Sequence, residues 1–393
     1  MKKVLFIGHD ANRAGAQMVL LQLLQQLKKR GFNMHLLLEE GGALEAEFKE
    51  AVSITYLPTK AKRLYSKKID RTLEVIGILK FLKRQHRAKQ WKHFREEIEA
   101  QNIGLIFANT VATASILKTL PFLNVPIISF VHELEMSVKM YSNQEDLSYL
   151  LSKTDHLLAV SKAVANYYQT QFQFPKEKTS VVQIIDTDNL LKQINNGQKL
   201  GLCQYLGLPK DAIVIGSCGN AEWRKGNDFF MMLAQNVIRQ VTNKPVYFIW
   251  VGMAKTSELY DIQRTDAAKM GLADRIIHVE PTANVFQYIS QFDIFALCSR
   301  EDPYPLVVLE AALAQKPIVC FADAGGSAEI VEEDAGFVVP YFDLEAMTNK
   351  IIELIDSPSL RQKLGQRAKQ KVLERHQTES SVQHIIDTIT KLM

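Results

Sequence analysis

The run VLFIGHDANRAGAQMVLLQLLQQLKKRGFNMHLLL, from Val4 to Leu38, decides the fold. Val4–Gly8 is apolar throughout and stops at a glycine, the pattern of a strand buried on both faces of a parallel sheet. After the polar loop His9 to Gly15, the residues Val19, Leu20, Leu23, Leu24 and Leu27 recur at helical spacing within Ala16–Arg30. Lys28-Lys29-Arg30-Gly31 supplies the cations and the glycine that end such a helix. Met34–Leu38 is the next strand. Strand, loop, helix, strand is the opening of a doubly wound α/β sheet.

Working outward, the sequence predicts further strands at Leu105–Ala108, Ile127–Val131, Leu157–Val160 and Val181–Ile185, with a helix capped by Ser161. Polar residues from Asp186 to Pro209 read as a connection. The pattern then restarts with strands at Ala212–Cys218, Val246–Gly252, Ile276–Val279, Ile294–Leu297 and Ile318–Phe321. Helices at Asn227–Arg239 and Pro305–Ala314 lie between them, and Glu379–Met393 forms a last one. A chain of 393 residues exceeds one ordinary core, so two doubly wound halves are expected.

Composition narrows the function classes. Apolar residues at 47% and charged residues at 23% are ordinary for a globular protein, and no apolar run reaches the roughly 18 residues of a membrane-spanning helix. Cys203, Cys218, Cys298 and Cys320 form no C-x-x-C, and the basic start Met1-Lys2-Lys3 precedes too short an apolar run for a secretory segment; a cytoplasmic setting is expected. The net charge of +4 hides a contrast. Between Lys60 and Arg95 there are 13 Lys and Arg against Asp70 and Glu74, which leaves the rest of the chain at −7. That segment reads either as a solvated helix face or as a patch for anionic lipid headgroups; no nucleic-acid motif accompanies it.

Four turns can carry chemistry, each placed between a strand and a helix, where open α/β sheets bind ligands. Gly8 to Ala16 offers a glycine turn and a helix start at Gly15-Ala16, but fits neither the dinucleotide nor the ATP glycine pattern. Gly219-Asn220-Ala-Glu-Trp-Arg224-Lys225-Gly226 offers two cations able to neutralise a diphosphate. In Cys298-Ser-Arg-Glu301-Asp302-Pro-Tyr-Pro305-Leu306-Val307-Val-Leu-Glu310, acids precede a helix whose first amides, at Leu306 and Val307, face any phosphate set there. Glu310 lies a turn further on, placed for ribose hydroxyls. Gly325-Gly326-Ser-Ala-Glu329 is another glycine turn before a helix. Three such turns on one sheet edge converge as isolated turns would not. Asp186-Thr-Asp188 is a D-x-D, yet it stands in the connection without evident further oxygen ligands, so no metal is expected. His132-Glu-Leu-Glu135 lacks the second histidine of a zinc protease.

These residues resemble the retaining glycosyltransferases of family 4. Their E-x7-E signature, roughly E-G-F-G-L-V-x-L-E, aligns on Glu310 and places Asp302 at the first acid, next to Glu301, with Pro303-Tyr-Pro305 for G-F-G. The family's G-R-x4-K-G matches Gly219 and Lys225-Gly226; its arginine falls on Asn220, and Arg224 stands beside the lysine instead. Gly325 to Glu329 is similar to G-G-x-P-E with alanine for proline, His132 to the family's active-site histidine, and Val182 to Asn189 to its interdomain segment.

The resemblance implies a GT-B fold of two facing Rossmann-like domains with a cleft between them. It gives an acceptor domain over 1–190, a donor domain over 191–375, and a last helix over 376–393 packing back on the first. It implies a retaining, metal-independent transfer from a UDP- or GDP-linked sugar, with no cofactor, to a glycan or lipid-linked acceptor in cell-surface polysaccharide synthesis. Lys225, Arg224 and the amides at Leu306 would stabilise the leaving diphosphate, Glu310 would hold the ribose, and Asp302 and His132 would contact the sugar. Competing expectations are a binding protein of the same fold that has lost catalysis, a sugar-nucleotide epimerase, and a nicotinamide enzyme, the last disfavoured by the absent glycine fingerprint.

Overall fold

The computed structural model describes residues 2–58, 79–187, 190–192 and 201–393. It divides into two compact units, one of 1–159, 172–184 and 382–393, the other of 160–171 and 185–381.

The first unit is built on a seven-stranded sheet, β1 (Lys3–Gly8), β2 (Met34–Leu38), β3 (Ile54–Tyr56), β4 (Ile103–Asn109), β5 (Ile127–Val131), β6 (His156–Ala159) and β7 (Thr179–Val181). Its spatial order is β3-β2-β1-β4-β5-β6-β7, every pair parallel. Strands β2, β4 and β5 are buried along their whole length, as continuous apolar runs require when helices cover both faces. Chain direction across the sheet reverses between β1 and β4, which opens a crevice at their carboxyl ends.

The second unit repeats the plan with β8 (Ile213–Cys218), β9 (Val246–Val251), β10 (Ile276–Val279), β11 (Ile294–Leu297), β12 (Ile318–Phe321) and β13 (Gly336–Val339), ordered β10-β9-β8-β11-β12-β13 and also all parallel. Here the switch point lies between β8 and β11. One core layer gathers Phe230, Phe248 and Trp250 on one face of this sheet, and another gathers Phe292, Leu309 and Val372 on the opposite face.

Two readings of the sequence are corrected. The strand expected over Val181–Ile185 runs over Thr179–Val181. The Val182 amide makes the last link, to the Ala159 carbonyl at 2.9 Å; beyond it Ile184 and Ile185 bury their side chains outside the ladder, so their apolar signal reports burial and not pairing. Strands β3 (ITY) and β13 (GFVV) were not anticipated: each is short and only partly buried, without the continuous buried run of the central strands. Of the basic segment 60–95, residues 60–78 lie outside the described residues. The remainder starts the helix Leu79–Glu99, which buries Leu79, Phe94 and Ile98 and leaves its lysines and arginines exposed.

Candidate functional site

In the second unit the loops after β8, β11 and β12 come together at the switch point. The turn Trp223–Lys225 ends at Gly226, whose φ of 69° is left-handed and which opens the helix Asn227–Gln240. A Cβ at Gly226 would run into the carbonyl oxygen of Cys298, so only glycine lets this loop lie against the end of β11. The Arg300 amide then donates to the Arg224 carbonyl at 2.8 Å.

That backbone contact aims two cations at one acid. Lys225 Nζ donates to Asp302 Oδ2 at 2.6 Å, and Arg224 Nη1 lies 3.7 Å from Asp302 Oδ1 while donating to the Glu301 carbonyl at 2.8 Å. Asp302 is 4% exposed. Of the two neighbouring acids, Asp302 presents its carboxylate to both cations, and Glu301 accepts from Arg224 through its main chain. Arg224 Nη2 also lies 3.8 Å from Glu222 Oε2, so the two cations are shared between one buried and one exposed carboxylate.

The third loop fastens Asp302 from the other side. Its amide donates to Ala324 at 2.6 Å, Asp302 and Gly325 form a parallel bridge, and the Gly326 amide donates to the Asp302 and Pro303 carbonyls at 3.2 and 3.1 Å. Gly325 sits at φ 130°, and a Cβ there would collide with the Asp302 carbonyl oxygen. The chain enters the helix Leu306–Leu313 through an extended Pro305. Because the Val308 amide is taken by the Pro305 carbonyl at 3.1 Å, the Leu306 and Val307 amides are the first-turn donors without an acceptor inside the helix.

One turn along, Glu310 Oε2 is buried and has no hydrogen-bond partner. Burial pushes the Glu310 carboxyl up to about 7. The neighbouring Cys218 thiol is raised by its own burial and by Glu310. Such an orphaned acceptor beside a positive helix terminus is what a ligand with paired hydroxyls and an anionic group would satisfy.

Other expected residues stand differently. Asn220 is exposed beside half-buried Gly219. Glu329 spends both carboxylate oxygens on the start of the helix Lys162–Gln171, accepting from Lys162 N at 3.1 Å and Ala163 N at 2.8 Å, while Ser161 Oγ accepts from Val164 N. Among the described residues no group of His, Cys, Asp or Glu is disposed to hold a metal ion; Asp188 of the D-x-D lies outside them.

In the first unit a polar cluster occupies the ends of β1, β4 and β5. Gly15 and Ala16 open the helix Gly15–Lys29, with open space at Gly15. His132, directly after β5, meets Asn109 Oδ1 through Nε2 at 3.0 Å and packs on Phe130 at 4.3 Å between ring centroids. Burial, with a smaller contribution from His9, pushes the His132 imidazole down to about 3, so it is neutral. Buried Glu133, raised to about 7, accepts the His132 amide at 2.8 Å and the Val111 amide at 3.4 Å. Sequence reading passed over Asn109 and Glu133. Asn109 carried a signal, since it is the polar residue that ends an otherwise apolar buried strand beside the switch point.

Known proteins agree with this architecture. The family described as Glycosyl transferases group 1 matches residues 212–357, and Glycosyltransferase Family 4 matches 13–184. The lipopolysaccharide core biosynthesis mannosyltransferase LpsB of Rhizobium meliloti is 26% identical over 218 residues, 53% of this chain and 57% of that protein. The chain thus spans little more than half the length of that relative. An Escherichia coli UDP-Gal:alpha-D-GlcNAc-diphosphoundecaprenol alpha-1,3-galactosyltransferase is 21% identical over 348 residues, 88% of this chain and 86% of the other. Among solved structures, Anabaena HepE in complex with UDP has the same fold, with a TM-score of 0.77 at 20% identity over 99% of this chain and 100% of the other.

Proposed function

We propose that this chain, which belongs to the family of group 1 glycosyltransferases, moves a sugar from a nucleotide diphosphate sugar to a glycan or lipid-linked acceptor in cell-surface polysaccharide or lipopolysaccharide synthesis. The observation that carries the reading is the convergence, within the second unit, of Arg224, Lys225 and the helix start at Leu306 next to the unsatisfied carboxylate oxygen of Glu310. The positive groups suit a diphosphate, and the carboxylate suits a ribose diol a helical turn away. As the bond to the sugar breaks, negative charge grows on the diphosphate; donors fixed beforehand stabilise that growth without reorganising.

Asp302 holds Lys225 in place and, as the first acid of the signature, contacts sugar hydroxyls. Retention of anomeric configuration, independence of a metal, and UDP or GDP as the carrier complete the proposal. The exposed cations Lys80, Lys83, Arg84, Arg87, Lys89, Lys92 and Arg95, with Phe81 60% exposed among them, support contact with an anionic membrane surface where lipid-linked acceptors reside. No described helix is long and apolar enough to cross a membrane.

The test is a panel of UDP- and GDP-sugars incubated with the protein in EDTA, scoring release of nucleotide diphosphate and, with acceptor present, product anomericity by NMR. Release from one donor, with a product that keeps that donor's anomeric configuration, supports the reading. Binding of donor without release across the panel would favour a non-catalytic binder, and an altered sugar still attached to its nucleotide would favour an epimerase.

A further inference from the structure

The polar cluster of the first unit fixes more than the place of His132. Asn109 ends β4, opposite Phe130 in the ladder, and is 1% exposed. Its side chain bridges two elements: Nδ2 donates to the Ala16 carbonyl at 3.2 Å, in the first turn of the helix Gly15–Lys29, and Oδ1 lies 3.0 Å from His132 Nε2. A carbonyl oxygen can only accept, so the amide nitrogen must face Ala16; turning the amide over would set two oxygens against each other. The end that faces His132 is therefore an oxygen, which also only accepts, and the hydrogen between the two side chains belongs to the imidazole.

We propose that Asn109 is a positioning residue that fixes His132 in the tautomer bearing its hydrogen on Nε2, so that the ring offers a bare Nδ1 as acceptor to a substrate hydroxyl. The role given to the substrate rests on the transferase reading above; the tautomer does not. Two contacts restrain the imidazole, and a third restrains the backbone that carries it. Glu133 holds its backbone amide, Phe130 packs on its ring, and Asn109 takes its Nε2–H. Residue 109 therefore has a chemical requirement, an uncharged acceptor, beyond filling space.

The ionisable groups nearby are His9, Asp10 and Glu133. His9 Nδ1 lies 3.5 Å from Thr110 Oγ1, and His9 Nε2 lies 2.9 Å from Gln17 Nε2 and 3.6 Å from Asp10 Oδ2. A carboxylate in place of the Asn109 amide would keep the acceptor at Nε2 but lose the donor to the Ala16 carbonyl and add a negative charge, and would draw a second proton onto the ring. Nδ1 would then become a donor.

The experiment is long-range 1H–15N correlation spectroscopy on the full chain labelled at histidine, with the His132 signals assigned by His132→Gln. The expected pattern shows a protonated Nε2 and an unprotonated Nδ1, unchanged from pH 5 to pH 8. A hydrogen on Nδ1 overturns the proposal. In Asn109→Asp the ring should titrate inside that range, and transfer should fall about tenfold to a hundredfold below the ring's new pKa and recover in part above it, short of the parent because the bond to the Ala16 carbonyl is lost. Asn109→Ala should lose transfer at every pH, in kcat more than in KM for the donor. An Asn109→Asp enzyme whose His132 signals and pH profile match the parent's would also overturn it. Because the spectra need no substrate, failure of the wild-type chain to turn over any donor would count against the transferase reading and leave the tautomer decided by NMR.

Discussion

Lys225 and Asp302, 77 residues apart in sequence, meet at 2.6 Å and tie the loop after β8 to the loop after β11. The lysine is 15% exposed and the aspartate 6% at the side chain, so the pair is largely withdrawn from water. The bond keeps the ammonium at the sheet edge, where a diphosphate would share it.

Lys225→Ala should lower transfer by about a hundredfold or more, the scale on which losing one prearranged charge-stabilising donor is felt. It also leaves Asp302 buried with Arg224 at 3.7 Å as its remaining cation, so the melting temperature should fall too. Lys225→Ala/Asp302→Ala together should cost less stability than the sum of the single changes. Strict additivity in a thermal-denaturation cycle would mean the two side chains do not interact.

Glu310 gives a pH signature. Its carboxyl is raised by burial to about 7, so folding disfavours the ionised form. The stability linked to the protonated group is whole below the ordinary glutamate pKa and declines as pH rises toward about 7. Glu310→Gln should remove its share of that decline and leave the share of Glu133, which burial also raises to about 7. Ribose hydroxyls prefer the carboxylate, so UDP or GDP binding near pH 7 should release protons, seen as a calorimetric enthalpy that depends on the buffer's ionisation heat. Glu310→Gln should weaken that binding about tenfold, matching roughly 1.4 kcal/mol for a hydrogen bond to a charged acceptor. Equal enthalpies in both buffers would remove Glu310 from the ribose.

Gly325→Ala tests the backbone that carries Asp302. At φ 130°, with the Asp302 carbonyl in the way of a Cβ, the loop must shift. Transfer and nucleotide affinity should both drop, with a lower melting temperature, whereas Gly15→Ala, where no atom lies within 4 Å of the added methyl, should leave stability nearly unchanged. Equal melting curves for the two variants would contradict this placement.

How much of this was legible follows from where the signals lie. The central strands announced themselves because parallel strands covered on both faces must be apolar at every residue, as Ile103–Asn109 and Ile127–Val131 nearly are. Edge strands β3 and β13 have no such burden. Lys225, Asp302 and Gly325 could be picked out because each follows a strand at the carboxyl edge, where the winding of the sheet brings loops together. The partners of Asn109 and Glu329 could not be, because a side chain's bond to an element 93 or 166 residues away leaves no local pattern.

Glu329 is where motif and structure assign different work. By its motif it belongs with the donor; by its bonds it caps the helix Lys162–Gln171, two amides sharing one carboxylate. Anions at a helix start stabilise it through the exposed amides and the helix dipole together. Glu329→Ala should therefore cost about 0.5–2 kcal/mol of stability, the range of a lost cap, and should weaken UDP or GDP binding far less than Glu310→Gln does. Glu329→Gln, which keeps one acceptor oxygen, should recover part of the stability. If calorimetry instead found nucleotide affinity falling as steeply in Glu329→Ala as in Glu310→Gln, with the melting temperature unmoved, the carboxylate would have to leave the helix start when the nucleotide binds.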